Sequence, residues 1–192
     1  MILSNEGIRS ALASGEIVIN PAPVDNQYTT SAVDLFIGDD FSRWDRGKFD
    51  VPGVHVNLDL AVQTFQRTAN AYLEKVQPNA EGNVVFPPYA ETKSHLLAIT
   101  RETIHLTASS RIAARVEGRS SLARLGIIVH LTAPVIHAGF KGVIVLEMIN
   151  FSPFYITHVH HKTRICQLVF ERLETAPTVE IATAFQGQTG AH

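Results

Sequence analysis

The sequence is poor in cysteine and in charged residues. Cys166 is the single cysteine among 192 residues, and charged side chains make up 18% of the chain, with a formal net charge of −2. A single cysteine excludes an internal disulfide and predicts a reducing, cytoplasmic location. The near balance of charge provides no extended basic surface for a nucleic-acid backbone, so we expect no nucleic-acid partner.

Long apolar runs are also missing. No segment approaches the roughly 20 apolar residues that a helix needs to cross a bilayer, and the opening MILSNEGIRSALASGE is too polar for a signal peptide. We therefore expect no membrane partner. Apolar residues still make up 45% of the chain, enough for a substantial core in a single domain that spans residues 1–192.

The single cysteine also restricts metal chemistry. Structural zinc sites and zinc-dependent base deaminases use several thiolates, or histidine with a Cys-x-x-Cys pair, and neither pattern occurs here. We therefore expect no zinc. In the densest histidine group, HVHH, His158 and His160 would share one face of a strand and could bind a metal as a pair. The favoured alternative is the polar end of a strand that enters a turn at HHKT.

Two segments have the residue pattern of a helix. Residues 4–14 form an N-terminal helix within the segment 1–15, with Ser4 as its N-cap. Residues 61–76 are followed by Pro78, and their apolar side chains recur at helical spacing. These side chains are Val62, Phe65, Ala69, Tyr72 and Val76.

The rest of the chain is dominated by short β-rich runs between turn residues. In SAVDLFIGDDF, alternation places Val33, Leu35 and Ile37 on one face of a strand. Between two later runs, SSLARL can form a short helical turn that ends at Gly126. The later runs follow one another at intervals typical of a β-sandwich or barrel. They are VVFPPY, HLLAIT, TIHLT, IAARVE, IIVHLT, VIVLEMIN, FYITHV and RICQLVFERL.

A polar cluster lies in RSSLARLG. Arg119, Ser120, Ser121 and Arg124 surround one short helical turn. Hydroxyls and backbone N–H groups at the start of a turn can bind an anion, and an arginine can add paired contacts to phosphate oxygens. The alternative is a capped surface turn with solvated arginines, and the spacing alone leaves both interpretations open.

A lone carboxylate lies in the apolar strand VIVLEMIN. Val143, Val145 and Glu147 share one face of this strand. A carboxylate among apolar neighbours is costly unless it is paired or lies in a polar pocket. Glu147 is therefore a candidate general acid or base, and the alternative is a buried ion pair with an arginine.

The runs VEGRSSLARLGIIVHLTA, AGFKGVIVLEMIN and RICQLVFE resemble the deoxycytidine triphosphate (dCTP) deaminases of the dUTPase superfamily. The family's N-terminal strands are similar to GEIVINP and TTSAVDLFIGDDF. Its C-terminal flap, here residues 176–192, is similar to FQGQTG. The resemblance implies a mainly β fold, a distorted jelly-roll barrel with a few short helices, in a homotrimer with active sites between subunits. It implies hydrolysis of dCTP to dUTP and ammonia without zinc, with Mg²⁺ bound through the triphosphate.

The resemblance also implies roles for individual residues. Glu147 corresponds to the acid/base that takes a proton from the water attacking C4 of cytosine, and Arg124 to the guanidinium that holds Glu147 or this water. Ser120 belongs to the same water network, and the backbone carbonyl of Ala133 helps to orient the water. The implied substrate-binding residues are Arg119, Ser120, Ser121, Arg124, His137, Gln167, Phe185 and Gln188.

Several features depart from the family pattern. His137 stands where the family has an aspartate that binds the sugar 3′-hydroxyl and, in members that hydrolyse dUTP, also serves the attacking water. A neutral histidine accepts one hydrogen bond but adds no negative charge. Ala184 stands in place of a flap lysine before Phe185, and Lys162 in place of a turn glycine. Helix 61–76 is longer than the family needs, and we expect it to be an added surface element.

These departures leave alternatives open. One is a bifunctional dCTP deaminase and dUTP pyrophosphatase, a dUTPase-like hydrolase, or a deaminase of a different nucleotide. Another is a regulatory homologue that binds nucleotides without turnover. The resemblance also suggests dTTP as a possible inhibitor.

Overall fold

The computed structural model describes residues 1–49, 61–179 and 187–191, and it is mainly β as predicted. Its strands are β1 Ile17–Asn20, β2 Val33–Trp44, β3 Leu73–Lys75, β4 Val84–Phe86, β5 Leu96–Leu106, β6 Ile112–Gly118, β7 Ile127–Ile128, β8 Val135–Ile136, β9 Lys141–Asn150, β10 Ile156–Val159 and β11 Arg164–Arg172. Its helices are α1 Asn5–Ala13, α2 Arg46–Phe49, α3 Ala61–Tyr72, α4 Tyr89–Thr92 and α5 Ser120–Ala123, with a 3₁₀ turn at Asp25–Gln27. None of these helices is long and apolar enough to cross a membrane.

Nine strands form one curled antiparallel sheet. Seven of them follow the order β7-β9-β5-β2-β11-β6-β8, while β1 pairs with β5 and β3 pairs with β2. β4 and β10 form a separate antiparallel pair. The ladders β2–β5, β5–β9 and β2–β11 each contain a shift in register. Such irregularities bend strands and increase their twist, so they curl the sheet around its core.

Strand β5 lies at the centre of the sheet. One of its edges pairs with β9 along almost its whole length, with Leu97 opposite Glu147. On the other edge, β2 pairs with the first half of β5 and β1 with the second half. Both edges of β5 are therefore occupied, which fixes the register of β9.

The core follows the alternation of the strands. In β9, the side chains of Ile144, Leu146 and Met148 are buried in the main hydrophobic cluster. Leu168 and Phe170 of β11 are completely buried in the same cluster. Burying one such side chain stabilises the fold by about 1.5–3 kcal/mol. Glu147 lies on the opposite face of β9 from this cluster, as alternation predicts.

The first helix and the short turn at Ser120 agree with their predictions. Helix α1 begins after Ser4, whose Oγ accepts a hydrogen bond from the backbone N–H of Gly7 at 3.2 Å. The turn of α5 is followed by Gly126, with a φ of 83°. A β-carbon at this position would lie 3.0 Å from the backbone nitrogen of Ser152. Glycine is therefore required there both for its conformation and for the close approach of the chain.

The predicted end of the second helix is wrong. Helix α3 ends at Tyr72, and residues 73–75 form strand β3. β3 pairs with Ser42–Trp44 of β2, and the backbone N–H of Val76 donates to the carbonyl of Phe41 at 2.9 Å. Apolar spacing alone cannot distinguish this segment from a helix, because pairing with a distant strand decides its conformation.

Several predicted β-rich runs differ from the observed strands. HLLAIT and TIHLT belong to one strand, β5, and only Ile127–Ile128 of IIVHLT is a strand. The two halves of β5 are joined through an irregular segment around Thr100. The Thr100 hydroxyl donates to the Glu102 carbonyl at 2.8 Å and accepts from the Ile144 N–H at 3.0 Å. These bonds replace regular ladder bonds, so the strand continues through the irregularity.

The carboxylate of Glu102 fixes this irregular segment from inside the fold. Its side chain is completely buried. It accepts hydrogen bonds from the backbone N–H of Phe36 at 2.9 Å, from Arg101 at 2.6 Å and from the Gln27 amide at 3.4 Å. A buried charge is tolerated only when it is paired and hydrogen-bonded in this way. Glu102 therefore ties the bend of β5 to β2 and to the 3₁₀ turn.

We expect Glu102→Ala to destabilise the fold strongly. The substitution leaves the N–H of Phe36 without its acceptor and removes the charge that pairs with Arg101. The Gln27 amide keeps only its bond to the Asp34 carbonyl. We expect the free energy of unfolding to fall by about 3 kcal/mol. Urea unfolding followed by circular dichroism measures this loss. Glu81→Ala, in an exposed turn, is the control and should change stability by less than about 0.5 kcal/mol. Equal stability of the two variants would contradict the role assigned to Glu102.

Candidate functional site

The face of β9 that carries Glu147 borders a cavity of about 300 Å³. Three residues from the predicted site line this cavity, namely Ala133, Glu147 and Gln188. The other lining residues are mostly apolar and include two histidines. They are Phe65, His95, Leu97, Val116, His130, Ile136, Phe140, Ile144, Val145 and Leu146. Apolar walls with a few polar groups are typical of small-molecule sites, and the volume suits a nucleobase.

Glu147 is half-buried in this cavity. Its Oε2 accepts one long hydrogen bond, 3.5 Å, from the backbone N–H of Leu131. It forms no salt bridge with the described residues, so within that part of the chain the alternative of a buried ion pair with an arginine is not observed. A carboxylate with a single weak protein contact has free lone pairs for a ligand or a water molecule.

His95 and His130 were not predicted as site residues. His95 Nε2 accepts a hydrogen bond from the Trp44 indole N–H at 3.2 Å. Burial lowers the pKa of His95 below its ordinary value, while the charge of Glu147 acts in the opposite direction. Nδ1 of His130 is buried and has no hydrogen-bond partner in the part of the chain that the structure describes. A sequence does not show which strands lie side by side, so it gives no indication that these two histidines line the cavity with Glu147.

The last described residues, 187–191, pack along β9. Gln188 exchanges hydrogen bonds with Val143, since its Nε2 donates to the Val143 carbonyl at 2.9 Å and its own carbonyl accepts from the Val143 N–H at 3.2 Å. Gly142 permits this contact, because a β-carbon there would lie 3.0 Å from the carbonyl oxygen of Gln188. This part of the predicted flap therefore forms one wall of the cavity.

Helix α3 contributes a second wall. Phe65 lines the cavity, and its ring contacts Trp44 edge-on, with the ring centroids 6.4 Å apart. The sequence predicts an added surface element at 61–76, and the structure shows that Phe65 of this element also lines the cavity. The helix encloses the same space that Glu147 faces.

A second polar group surrounds Asp34, whose side chain is 5% exposed. Its Oδ2 lies 3.4 Å from Arg119 Nη2 and 3.4 Å from Arg164 Nη1. Its Oδ1 accepts a hydrogen bond from the Gln167 amide at 2.9 Å. The structure thus brings Arg119 and Gln167 together around Asp34. Asp34 and Arg164 were not predicted, although an acid inside VDLFIG is as unusual as Glu147.

The remaining predicted residues lie outside these two groups. Ser120, Ser121 and Arg124 are exposed on and just after α5, and they do not line the cavity. His137 is exposed beside the lining residue Ile136. Phe185 lies outside the described residues. Within residues 1–49, 61–179 and 187–191, no three His, Cys, Asp or Glu side chains are grouped so as to hold a metal ion.

Comparison with known proteins identifies the family. A model of the dCTP deaminase-like family matches residues 2–173. The chain belongs to the dCTP deaminase-like family. This membership confirms the resemblance that the motifs indicate. The match covers the residues around Asp34 and all the residues that line the cavity except Gln188.

Curated relatives of this dCTP deaminase-like chain match it over nearly its whole length. A protein of Persephonella marina named "dCTP deaminase, dUMP-forming" is 36% identical, over 99% of this chain and 94% of its own. A protein of Methanosphaera stadtmanae with the same name is 33% identical, over 98% and 90%. A protein of Rhodospirillum rubrum named "dCTP deaminase" is 36% identical, over 90% and 83%.

A solved structure has the same fold. The crystal structure of 2′-deoxycytidine 5′-triphosphate deaminase from Agrobacterium tumefaciens superposes with a TM-score of 0.61 at 22% sequence identity. The match covers 88% of this chain and 47% of that one, so this chain spans about half the length of that protein. The similarity confirms the predicted fold class.

Proposed function

We propose that this dCTP deaminase-like protein catalyses the zinc-independent hydrolytic deamination of dCTP to dUTP and ammonia in pyrimidine deoxynucleotide metabolism. One observation carries the proposal. Glu147 faces an apolar cavity of nucleobase size with no ion pair to a described residue, in a chain whose relatives are named dCTP deaminases. The single, buried Cys166 supports the further proposal of a reducing, cytoplasmic location.

Glu147 performs the proton transfers in this proposal. Its carboxylate takes a proton from the water that attacks C4 of cytosine and delivers it to N3. It then takes the proton of the new C4 hydroxyl and delivers it to the amine, which leaves as ammonia while C4 becomes a carbonyl. The backbone carbonyl of Ala133, on the same cavity, accepts a hydrogen bond from this water and orients it. The apolar walls exclude bulk water, which strengthens each electrostatic contact in the reaction.

The group around Asp34 is the proposed site for the charged end of the nucleotide. Arg119 and Arg164 carry two positive charges against the single negative charge of Asp34. The excess positive charge attracts a triphosphate, whose oxygens suit guanidinium donors. Magnesium enters as part of the substrate, bound to the triphosphate oxygens. Gln167, held by Asp34, adds an amide donor at this site.

A second subunit completes the proposed active site. Ser120, Ser121 and Arg124 are exposed and lie outside the cavity that contains Glu147. A homotrimer with sites between subunits would bring these side chains of one copy to the cavity of another. Arg124 would then stabilise the charge that develops in the transition state.

His137, Phe185 and Gln188 are the other proposed substrate contacts, and dTTP is a proposed inhibitor.

Glu147→Gln should abolish ammonia release from dCTP with magnesium. Glutamine preserves the shape of the side chain but cannot accept the proton, so we expect kcat to fall by about 10²–10⁴. Glu174→Gln, on the exposed surface, is the matched control and should keep wild-type activity. Full activity of Glu147→Gln, or no turnover of dCTP by the wild-type protein, would refute the deaminase proposal. Tight dCTP binding without product would instead support a regulatory homologue.

Mixing two inactive variants should test the shared site. Glu147→Gln and Arg124→Gln each damage every site of a homotrimer, but a mixed trimer contains some sites with both residues intact. We expect ammonia release to reappear when the two variants are unfolded and refolded together. Each variant refolded alone is the control. No recovery from mixtures shown to contain both chains would contradict a site shared between subunits.

The product of dCTP turnover separates deamination from the bifunctional alternative. Two of the relatives reported above are named dUMP-forming, and this observation favours the alternative. His137 opposes it, because an imidazole supplies no negative charge to replace that of the aspartate that serves the water attacking dUTP. We expect chromatography of the products to show dUTP and no pyrophosphate. Release of dUMP with pyrophosphate would establish the bifunctional enzyme instead.

A further inference from the structure

His95 stands beside Glu147 across two neighbouring strands. Leu97 of β5 is directly opposite Glu147 of β9, and His95 precedes Leu97 by two residues. Side chains two residues apart lie on the same face of an extended strand, and diagonal neighbours across a ladder remain within reach of long side chains. His95 and Glu147 accordingly line the same cavity.

Trp44 fixes the tautomer of His95. The register that pairs Arg43 with Leu96 sets Trp44 next to His95, and Trp44 Nε1 donates to His95 Nε2 at 3.2 Å. An indole nitrogen can only donate, so Nε2 carries no proton, and a neutral ring must carry its proton on Nδ1. The described residues offer no acceptor to this Nδ1–H, which is therefore available to a molecule in the cavity.

The surroundings of His95 keep the ring neutral. Burial lowers its pKa, and Glu147 is the charged group that opposes this effect. Among the described residues, His130 lines the main cavity with His95, and Arg43 lines a smaller cavity with it. Glu74 and Glu91 line a neighbouring pocket with Arg43. Arg43 is paired with Glu74 at 2.5 Å, so these two charges largely cancel near His95.

We propose that His95 is a positioning residue for Glu147, with its Nδ1–H bonded to the Glu147 carboxylate through one bridging water. This role rests on the proposed deaminase function. The structure gives the carboxylate one weak partner, Leu131, on Oε2, and a second hydrogen bond would fix its orientation toward C4. A bridging water costs little relative to a direct hydrogen bond.

Protonation of His95 would reverse this effect. An imidazolium ring has a proton on Nε2, so it loses the bond from Trp44. It also pairs directly with Glu147 and stabilises the carboxylate against accepting the proton of the attacking water. Trp44 therefore extends activity toward lower pH, because it holds the neutral form of the ring.

Substitutions at His95 test the positioning role. His95→Leu removes the donor, and we expect kcat for ammonia release from dCTP to fall about 10- to 100-fold, as for loss of a hydrogen bond to a charged group, with little change in KM. His95→Asn keeps an N–H donor near the position of Nδ1 and should recover most of this loss. Unchanged kcat in His95→Leu, beside an active wild-type protein, would overturn the role of His95.

Trp44→Phe tests how the tautomer is held. This substitution removes the indole donor, so the pKa of His95 should rise and the acid limb of the kcat profile should move to higher pH. In a His95→Asn background, Trp44→Phe should leave the acid limb of the kcat–pH profile at the same pH, because asparagine does not titrate. A shift of equal size in both backgrounds would show that Trp44 acts by another route.

A spectroscopic measurement separates this inference from the proposed function. Long-range ¹H–¹⁵N correlation spectra of the free protein identify the imidazole tautomer without any substrate. We expect His95 in the Nδ1–H form at neutral pH, and a mixture of tautomers in Trp44→Phe. An Nε2–H tautomer in the wild-type protein would overturn the inference. Failure of the wild-type protein to release ammonia, with the expected tautomer present, would refute the proposed function alone.

Discussion

The pairing of β5 on both edges is the constraint on which the cavity depends. One edge sets Leu97 opposite Glu147, and the other sets β2 beside the residues that precede β5. A slip of one residue in either ladder would turn Glu147 into the core or separate His95 from Trp44, because side chains alternate between faces. The buried carboxylate of Glu102 prevents such a slip, since it holds the irregular middle of β5 to β2.

The polar chemistry of the chain is divided between two places with different electrostatics. The Asp34 group contains two guanidinium groups and a buried carboxylate, so its net charge is positive and it suits an anion. The cavity has apolar walls, one carboxylate and two histidines, so it suits a polar but uncharged ring. A nucleoside triphosphate has a charged triphosphate, which suits the Asp34 group, and an uncharged base, which suits the cavity.

The sequence predicted local features well and distant contacts poorly. The N-cap at Ser4, the turn closed by Gly126 and the alternation of β9 each depend on residues close in the chain, and all three agree with the structure. The end of the helix at 61–76 was wrong, because β3 is formed through its pairing with β2. Propensity carries no information about such pairing.

The candidate site shows the same division. Glu147 could be selected from sequence because a carboxylate is unusual among apolar strand residues. Asp34 has the same signal, because it is a carboxylate among the apolar strand residues of VDLFIG. His95 and Arg164 have no local signal, since each acquires its role from a neighbour on another strand. Ser120 and Arg124 are exposed and do not line the cavity, and their spacing in RSSLARLG gives no indication of this placement.

Gly142 links the tail of the chain to the strand that carries Glu147. Its missing side chain leaves the space in which the backbone of Gln188 lies. We therefore expect positions 142 and 188 to evolve together, although they are distant in the sequence. A side chain gained at position 142 would displace the backbone of Gln188. Both segments would then have to change together, so sequence change at Gln188 is coupled to the geometry of the strand that carries Glu147.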